Sequence, residues 1–145
     1  IDKEIAAAII SGFAHSIYYK PIYAPLFVVS DTVMIFDHYH DLIFRYDMEN
    51  NLIDSVDITY HKQKEREWEE LMIVDKVTSK VYAVFNRNGY TYLKHINTET
   101  GEVIQTFKFT YRYANRIHIL DDEVYYVYRP YGSLQKKFMY KESVK

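Results

Sequence analysis

Short apolar runs alternate with polar turns along most of this chain, and the runs come in sets. Leu26 to Val29 and Val33 to Phe36 flank Ser30-Asp31-Thr32. The same figure returns as Leu71 to Val74 and Lys80 to Phe85 around Asp75, and again as Arg116 to Leu120 and Glu123 to Tyr128 around Asp121-Asp122. Runs this short, rich in Val, Ile, Tyr and Phe and bounded by turn residues, predict strands rather than helices. Two further strands follow the first pair: Asp41 to Asp47, which alternates, and Leu52 to Ile58, with the polar turn Met48-Glu49-Asn50-Asn51 between them. In the second set the partners are Tyr90 to Ile96 and Val103 to Phe107, joined by Asn97-Thr98-Glu99-Thr100-Gly101-Glu102, where Gly101 can supply a positive φ. The third set passes through a turn at Arg129-Pro130-Tyr131-Gly132-Ser133 into Leu134 to Tyr140 and stops one strand short. Val33, Val81 and Val124 mark equivalent places in a repeat of roughly 45 residues, the length of a four-stranded antiparallel unit.

The expected fold is therefore all-β, built of antiparallel four-stranded repeats. It resembles a six- or seven-bladed β-propeller of the NHL or TolB-like kind. The resemblance rests on Phe44-Arg45-Tyr46-Asp47, on His95-Ile96-Asn97 with Thr100-Gly101-Glu102-Val103-Ile104, and on the three paired inner strands, and it spans residues 26–142. Three units do not close a ring, which needs at least about four blades and usually about six in propellers of this kind. With a chain that opens on Ile1, this predicts an incomplete ring cut from something longer. The N-terminal segment lending the missing strand is the other way to complete the last unit. A single antiparallel barrel or sandwich is the alternative architecture.

Residues 1–25 stand outside the repeat. Asp2 to Gly12 reads as a short helix with Asp2 as cap and Gly12 as stop, or as a buried strand, and Ser16 to Pro25 as an extended, aromatic edge or connection. Residues 26–145 are expected to form one domain of three repeats, 26–60, 71–109 and 116–142. His61 to Glu70 reads as a charged linker, either a solvated loop or one helical turn.

Composition narrows the function classes. Aromatic residues make up 17% of the chain, sixteen of them tyrosine, which fits half-buried strands. A net charge of −2 with interspersed signs provides no broad basic field, so nucleic acid is not an expected partner. The absence of cysteine removes disulfides and thiolate chemistry but fixes no compartment. The apolar stretch from Ile5 to Ile10 is too short to span a bilayer and lacks the layout of a signal peptide, so a soluble chain without a membrane span is expected.

No catalytic or cofactor motif is present: the four glycines stand far apart, and neither Gly-x-Ser-x-Gly nor His-Glu-x-x-His occurs. No cofactor is expected. One cluster suggests a metal, Asp37-His38-Tyr39-His40-Asp41, because histidines at i and i+2 on a strand share a face and Asp37 or Asp41 supplies a third ligand. Against this, the cluster aligns with the turns at Asn86 to Gly89 and Arg129 to Gly132, so a polar turn is the better reading. The acidic groups Asp121-Asp122-Glu123 and Glu65, Glu67, Glu69, Glu70 read as solvated surface.

The resemblance implies more for the connections between units. In a propeller the loops running from the outermost strand of one blade to the innermost strand of the next gather on one face, around the channel mouth. Here they hold Tyr18, Tyr19 and Tyr23, then His61 and Trp68, then Tyr111, Arg112, Tyr113, Asn115 and Arg116. Tyrosine, tryptophan and arginine combine rigid contact area with directional polar tips, the chemistry of binding hot spots. Tyr19, Tyr23, Trp68, Tyr111, Arg112, Tyr113 and Arg116 are accordingly the expected ligand-binding residues. The expected function is a non-enzymatic module that binds a protein or a carbohydrate there, with self-association completing the ring as a further expectation. The alternatives are a hydrolase or lyase using Asp37 to Asp41 or Glu67 to Glu70 at the channel mouth, and a purely structural spacer.

Overall fold

In the computed structural model, which describes residues 22–64, 66–130 and 138–145, the apolar runs become strands of three antiparallel meanders. The first sheet orders β1 (Leu26–Val29), β2 (Thr32–Asp37), β3 (Leu42–Tyr46) and β4 (Leu52–Asp57). A four-residue helix, α1 (Tyr60–Gln63), leads into the second sheet of β5 (Trp68–Val74), β6 (Val81–Arg87), β7 (Tyr90–Ile96) and β8 (Val103–Lys108). The third has β9 (Asn115–Leu120), β10 (Glu123–Tyr128) and β11 (Phe138–Ser143), three strands among the described residues. The strands form separate stacked sheets and not a closed barrel, in keeping with propeller-like units.

Residue period explains the stacking. Along β2, Met34 and Phe36 are buried and meet the second sheet, while Val33 and Ile35 point the other way. Along β6, Val81, Ala83 and Phe85 join the core shared with the first sheet, and Tyr82 and Val84 join the core shared with the third. Val124 and Tyr126 of β10 face back into that second core. The middle sheet thus offers one face to the first sheet and the other to the third, and Val33, Val81 and Val124 do point the same way. The middle sheet is covered on both sides, so β6 is apolar at five successive positions, a pattern set by two-sided burial. Burying a side chain the size of Phe36, Phe85 or Tyr126 contributes roughly 1.5–3 kcal/mol. On the other face of the first sheet Leu26 and Val28 are more than half exposed among the described residues.

The outer hairpins correspond as their sequences suggest. Asp47 accepts N–H bonds from Glu49 and Asn51, and Asn97 accepts them from Glu99 and Thr100. Gly101 has φ +77°, and a Cβ there would lie 2.0 Å from the carbonyl oxygen of Asp57. The hairpin of the second sheet therefore closes against the end of β4 only because position 101 has no side chain.

The inner turns carry the least expected interaction. Asp75 is fully buried, and its carboxylate accepts N–H bonds from Val77 (3.0 Å) and Thr78 (3.3 Å) in its own loop. It also accepts from Asp121 (3.0 Å) and Asp122 (2.8 Å), the turn of the third sheet. Burial pushes this carboxyl up, but the donors from Asp122, Asp121, Thr78 and Val77 outweigh it and hold it at about 2. Asp122 is itself buried and pairs with Lys80 at 2.8 Å, so this residue, unlike the exposed Asp121 beside it, is not the solvated surface its composition suggests. On the other side, Ser79 and Ser30 hydroxyls lie 3.2 Å apart.

Three element boundaries differ from expectation. β5 begins at Trp68, not Leu71, because a bulge lies between Trp68, opposite Phe85, and Met72, opposite Ala83. β9 begins at Asn115, one residue before the expected Arg116, so Asn115 and Arg116, also counted among the connecting-loop residues, belong to the strand, with a similar irregularity there. The last strand, described over Phe138–Ser143, runs three residues past its expected end at Tyr140. The expectations for residues 1–21, Glu65 and 131–137 lie outside the described residues.

Asp75→Ala is expected to destabilise the protein by about 3 kcal/mol, since it strands backbone donors inside the structure; urea unfolding measures this. A carboxyl held low in the folded state contributes stability above the ordinary carboxylate value, which disappears as pH falls from roughly 4 to 2. Asp75→Asn should flatten that part of the stability profile.

Candidate functional site

Turns β2–β3 and β6–β7 and the connections β4–β5 and β8–β9 meet at the junctions between sheets, and each junction holds a cleft. The first, between the first two sheets, encloses about 900 Å³ and is lined by Tyr23, Tyr39, Asp41, His61, Lys62 and Trp68 among others. The second, between the second and third, encloses about 350 Å³ and is lined chiefly by Tyr90, Tyr111, Arg112, Tyr113, Tyr128 and Arg129.

The bulge in β5 positions the first cleft. Glu70 takes φ +50°, and the strand re-enters register with Trp68 facing Phe85, ring centres 5.4 Å apart. Trp68 packs on His38 at 4.9 Å and approaches Tyr60 and Tyr23 edge-on. The Tyr23 hydroxyl accepts the N–H of Met72 at 2.9 Å. The Tyr60 hydroxyl lies 2.6 Å from His38 Nε2 and donates to the Met72 sulfur at 3.6 Å. Burial pushes the His38 imidazole down to about 4, and His61 beside it acts in the same direction, so His38 is neutral at physiological pH.

Polar groups close one side. His61 Nε2 stands 2.9 Å from Asp41 Oδ1 and 3.1 Å from the His38 carbonyl oxygen. Both are acceptors, so Nε2 carries a proton and donates to them. Lys62 also pairs with Asp41, and Lys62 first, then His61, hold the Asp41 carboxyl below its ordinary value. Tyr39 projects outward, 71% exposed.

The proposed metal cluster does not assemble. Residues 38–41 form a turn and not a strand, so the two histidines do not share a face. His38 points inward to Tyr60, while the exposed His40 bonds through Nδ1 to Asp37 at 2.7 Å. No three His, Cys, Asp or Glu side chains among the described residues are placed to share an ion. Glu69 and Glu70 reach the rim of the first cleft.

The second cleft is a tyrosine assembly. Tyr111 stacks on Tyr128 at 4.2 Å and 6° between planes, and Tyr140 meets Tyr111 edge-on at 4.8 Å. Arg112 lies over the Tyr90 ring at 4.6 Å and Lys108 approaches the same ring at 4.0 Å. Tyr113 has φ +58°, uncommon for a bulky residue, and its N–H donates to the Gly89 carbonyl at 2.8 Å. A Cβ on Gly89, which itself has φ +83°, would come 2.7 Å from Tyr113 Cε1, so the glycine makes room for that ring.

Of the expected ligand-binding residues, the structure gathers Tyr111, Arg112 and Tyr113 in one cleft and Tyr23 and Trp68 in the other. Arg116 lines neither, and Tyr19 lies outside the described residues. Lys62, Tyr90 and Tyr128 were not singled out, and Asp41 was expected only as a metal or catalytic candidate. The signal for the other three was position, on α1 and at strand ends that the repeat brings to this face. No protein-family model and no curated protein matches the chain. No helix among the described residues is long and apolar enough to cross a membrane.

A histidine that titrates lower in the folded chain than the ordinary 6.5 takes up its proton more readily when unfolded. Stability should therefore be full above about pH 6.5 and decline as pH falls towards about 4, a decline that His38→Gln reduces when denaturant unfolding is repeated across that range.

Proposed function

We propose that this chain is a non-enzymatic binding module of propeller type, akin to the NHL or TolB-like proteins, that takes a protein segment or a carbohydrate on its junction face. The supporting observation is the first cleft: a concave space of about 900 Å³, with aromatic walls and polar groups already held in place. A hollow of that shape suits a chain end or a sugar better than a flat protein surface, which needs roughly 800 Å² of contact on each partner. Trp68 and Tyr23 form the fixed wall and Tyr39 the exposed platform, while Asp41 and Lys62 offer directional contacts.

The hydrolase or lyase reading draws on one specific observation, the Asp41–His61 contact at 2.9 Å beside Lys62. It fits less well. Asp41 is held ionised by its neighbours, not raised into use as a general acid, and the His61 proton is shared between Asp41 and a backbone carbonyl. No serine or threonine is among the described residues lining the cleft.

Trp68 is the sole tryptophan, so its fluorescence reports on this cleft. Glycan and peptide arrays probed with the labelled protein should yield binders that shift Trp68 emission saturably, with affinity lowered about tenfold by Tyr39→Ala, a hot-spot-sized loss at a residue the core does not need. Binders that leave Trp68 emission unchanged and are indifferent to Tyr39→Ala contradict the proposal. Conversion of a bound glycan or peptide to product supports the catalytic alternative.

A further inference from the structure

The second cleft has a different chemistry, and it extends beyond the reading above because it lies at the other junction and selects for charge. We infer that it binds an oxyanion, a phosphate or a carboxylate, attached to a flat apolar ring. Among the described residues its lining contains two guanidinium groups, Arg112 and Arg129, and no carboxylate, in a chain whose net charge is −2. Opposite charge would be expected to drift towards such a pair on an acidic protein, yet neither arginine side chain has an ion pair or hydrogen bond among the described residues.

The acid that reaches this loop is already committed. Glu142 accepts from the Tyr126 hydroxyl at 2.5 Å and from the Thr110 N–H at 3.0 Å, and it also takes the Thr110 hydroxyl. Burial and this carboxylate push the Tyr126 hydroxyl up, so Tyr126 remains a neutral donor to it. Glu142 therefore ties the β8–β9 connection to β11 and leaves the arginines unneutralised.

Arg112 is held without consuming its donors. Stacking over Tyr90 fixes the plane of the guanidinium while its N–H groups stay available, and a guanidinium matches the two oxygens of a carboxylate or phosphate in a paired geometry. The ring-binding part comes from the tyrosines. Tyr111 and Tyr128 brace one another, and Tyr113 is held over Gly89 by an N–H bond and an uncommon backbone conformation. Strain of this kind costs of order 1–3 kcal/mol and persists where surrounding structure imposes it, commonly at ligand sites. The cleft adjoins a hollow of about 380 Å³ that shares Tyr113, Tyr128 and Arg129, and each has the volume for a single-ring ligand.

The test is an NMR titration of isotopically labelled protein with phenyl phosphate, benzoate, inorganic phosphate and uncharged benzyl alcohol. Phenyl phosphate or benzoate should shift the Gly89, Arg112 and Tyr113 amides saturably, and whichever binds tighter identifies the preferred oxyanion. Benzyl alcohol should bind about tenfold more weakly, and Arg112→Gln or Arg129→Gln should each weaken the charged probe about fivefold, as loss of a charge-assisted contact requires. The Trp68 indole signal should stay still, which separates this result from any outcome at the first cleft. Both arginines are exposed, so the variants should keep the wild-type spectrum elsewhere. The inference is overturned if neither oxyanion saturates those amides, if benzyl alcohol or inorganic phosphate binds as tightly as phenyl phosphate, or if Arg112→Gln and Arg129→Gln both leave binding of the charged probe unchanged.

Discussion

The stacking of these sheets depends on one buried carboxylate. The turn between β9 and β10 has two successive residues with positive φ, Asp121 at +52° and Asp122 at +60°, a conformation that right-handed strand twist favours in tight hairpins. Pressing such a turn against a neighbouring sheet strips water from its N–H groups, and burial without an acceptor would cost about 1–3 kcal/mol for each. Asp75 supplies the acceptors for both N–H groups while its other contacts close its own loop. Lys80 then balances Asp122. Two turns from different sheets become one hydrogen-bonded unit, and the spacing between the second and third sheets follows from it. Between the first and second sheets a smaller device does similar work: Gly101 lets a hairpin close on the Asp57 carbonyl, where any side chain would collide.

With spacing set at the inner turns, the opposite ends of the sheets are left to differ. There the strands lose register, at Glu70 in β5 and at Arg116 in β9, both in the left-handed region. Bulges re-aim side chains, and the first of them turns Trp68 from an apparent loop residue into the wall of a cleft. The two junctions have the same backbone plan and contrasting contents. One mixes aromatic rings with acids, a lysine and histidines; the other combines tyrosines with arginines that have no ion pair among the described residues. A repeated scaffold that varies only its loops gives such differences without disturbing the cores, whose residues alternate regularly between the two faces of each sheet.

Much of the architecture could be read from the chain because it depends on short-range pattern. Strand alternation, the Asp47 and Asn97 hairpins and the equivalence of Val33, Val81 and Val124 are all local or periodic. The role of Asp75 was not legible. It occupies the same acidic turn as Asp31 and Asp121, and only the longer loop from Asp75 to Lys80 lets its side chain fold inward to a neighbouring sheet. Asp122 was hidden for the same reason, as acidic residues in a turn look solvated until another sheet covers them. At the clefts, the aromatic and arginine content of the loops was apparent, but their division into two separate sites was not, and neither was the contribution of Tyr90 and Tyr128 from strand ends. His38 and His40 show the limit of spacing arguments: i and i+2 share a face only in an extended strand, and a turn sends them apart.

Amide hydrogen exchange at Asp121 and Asp122 tests the central constraint most directly. In an ordinary two-residue hairpin these amides face water and exchange quickly, whereas donors to a buried carboxylate are released only when the sheets separate. Protection at both positions comparable to that of Val84 or Leu93 in the middle sheet is the expected result. Fast exchange at Asp121 and Asp122 while Val84 and Leu93 remain protected would show that Asp75 does not lock the third sheet to the second.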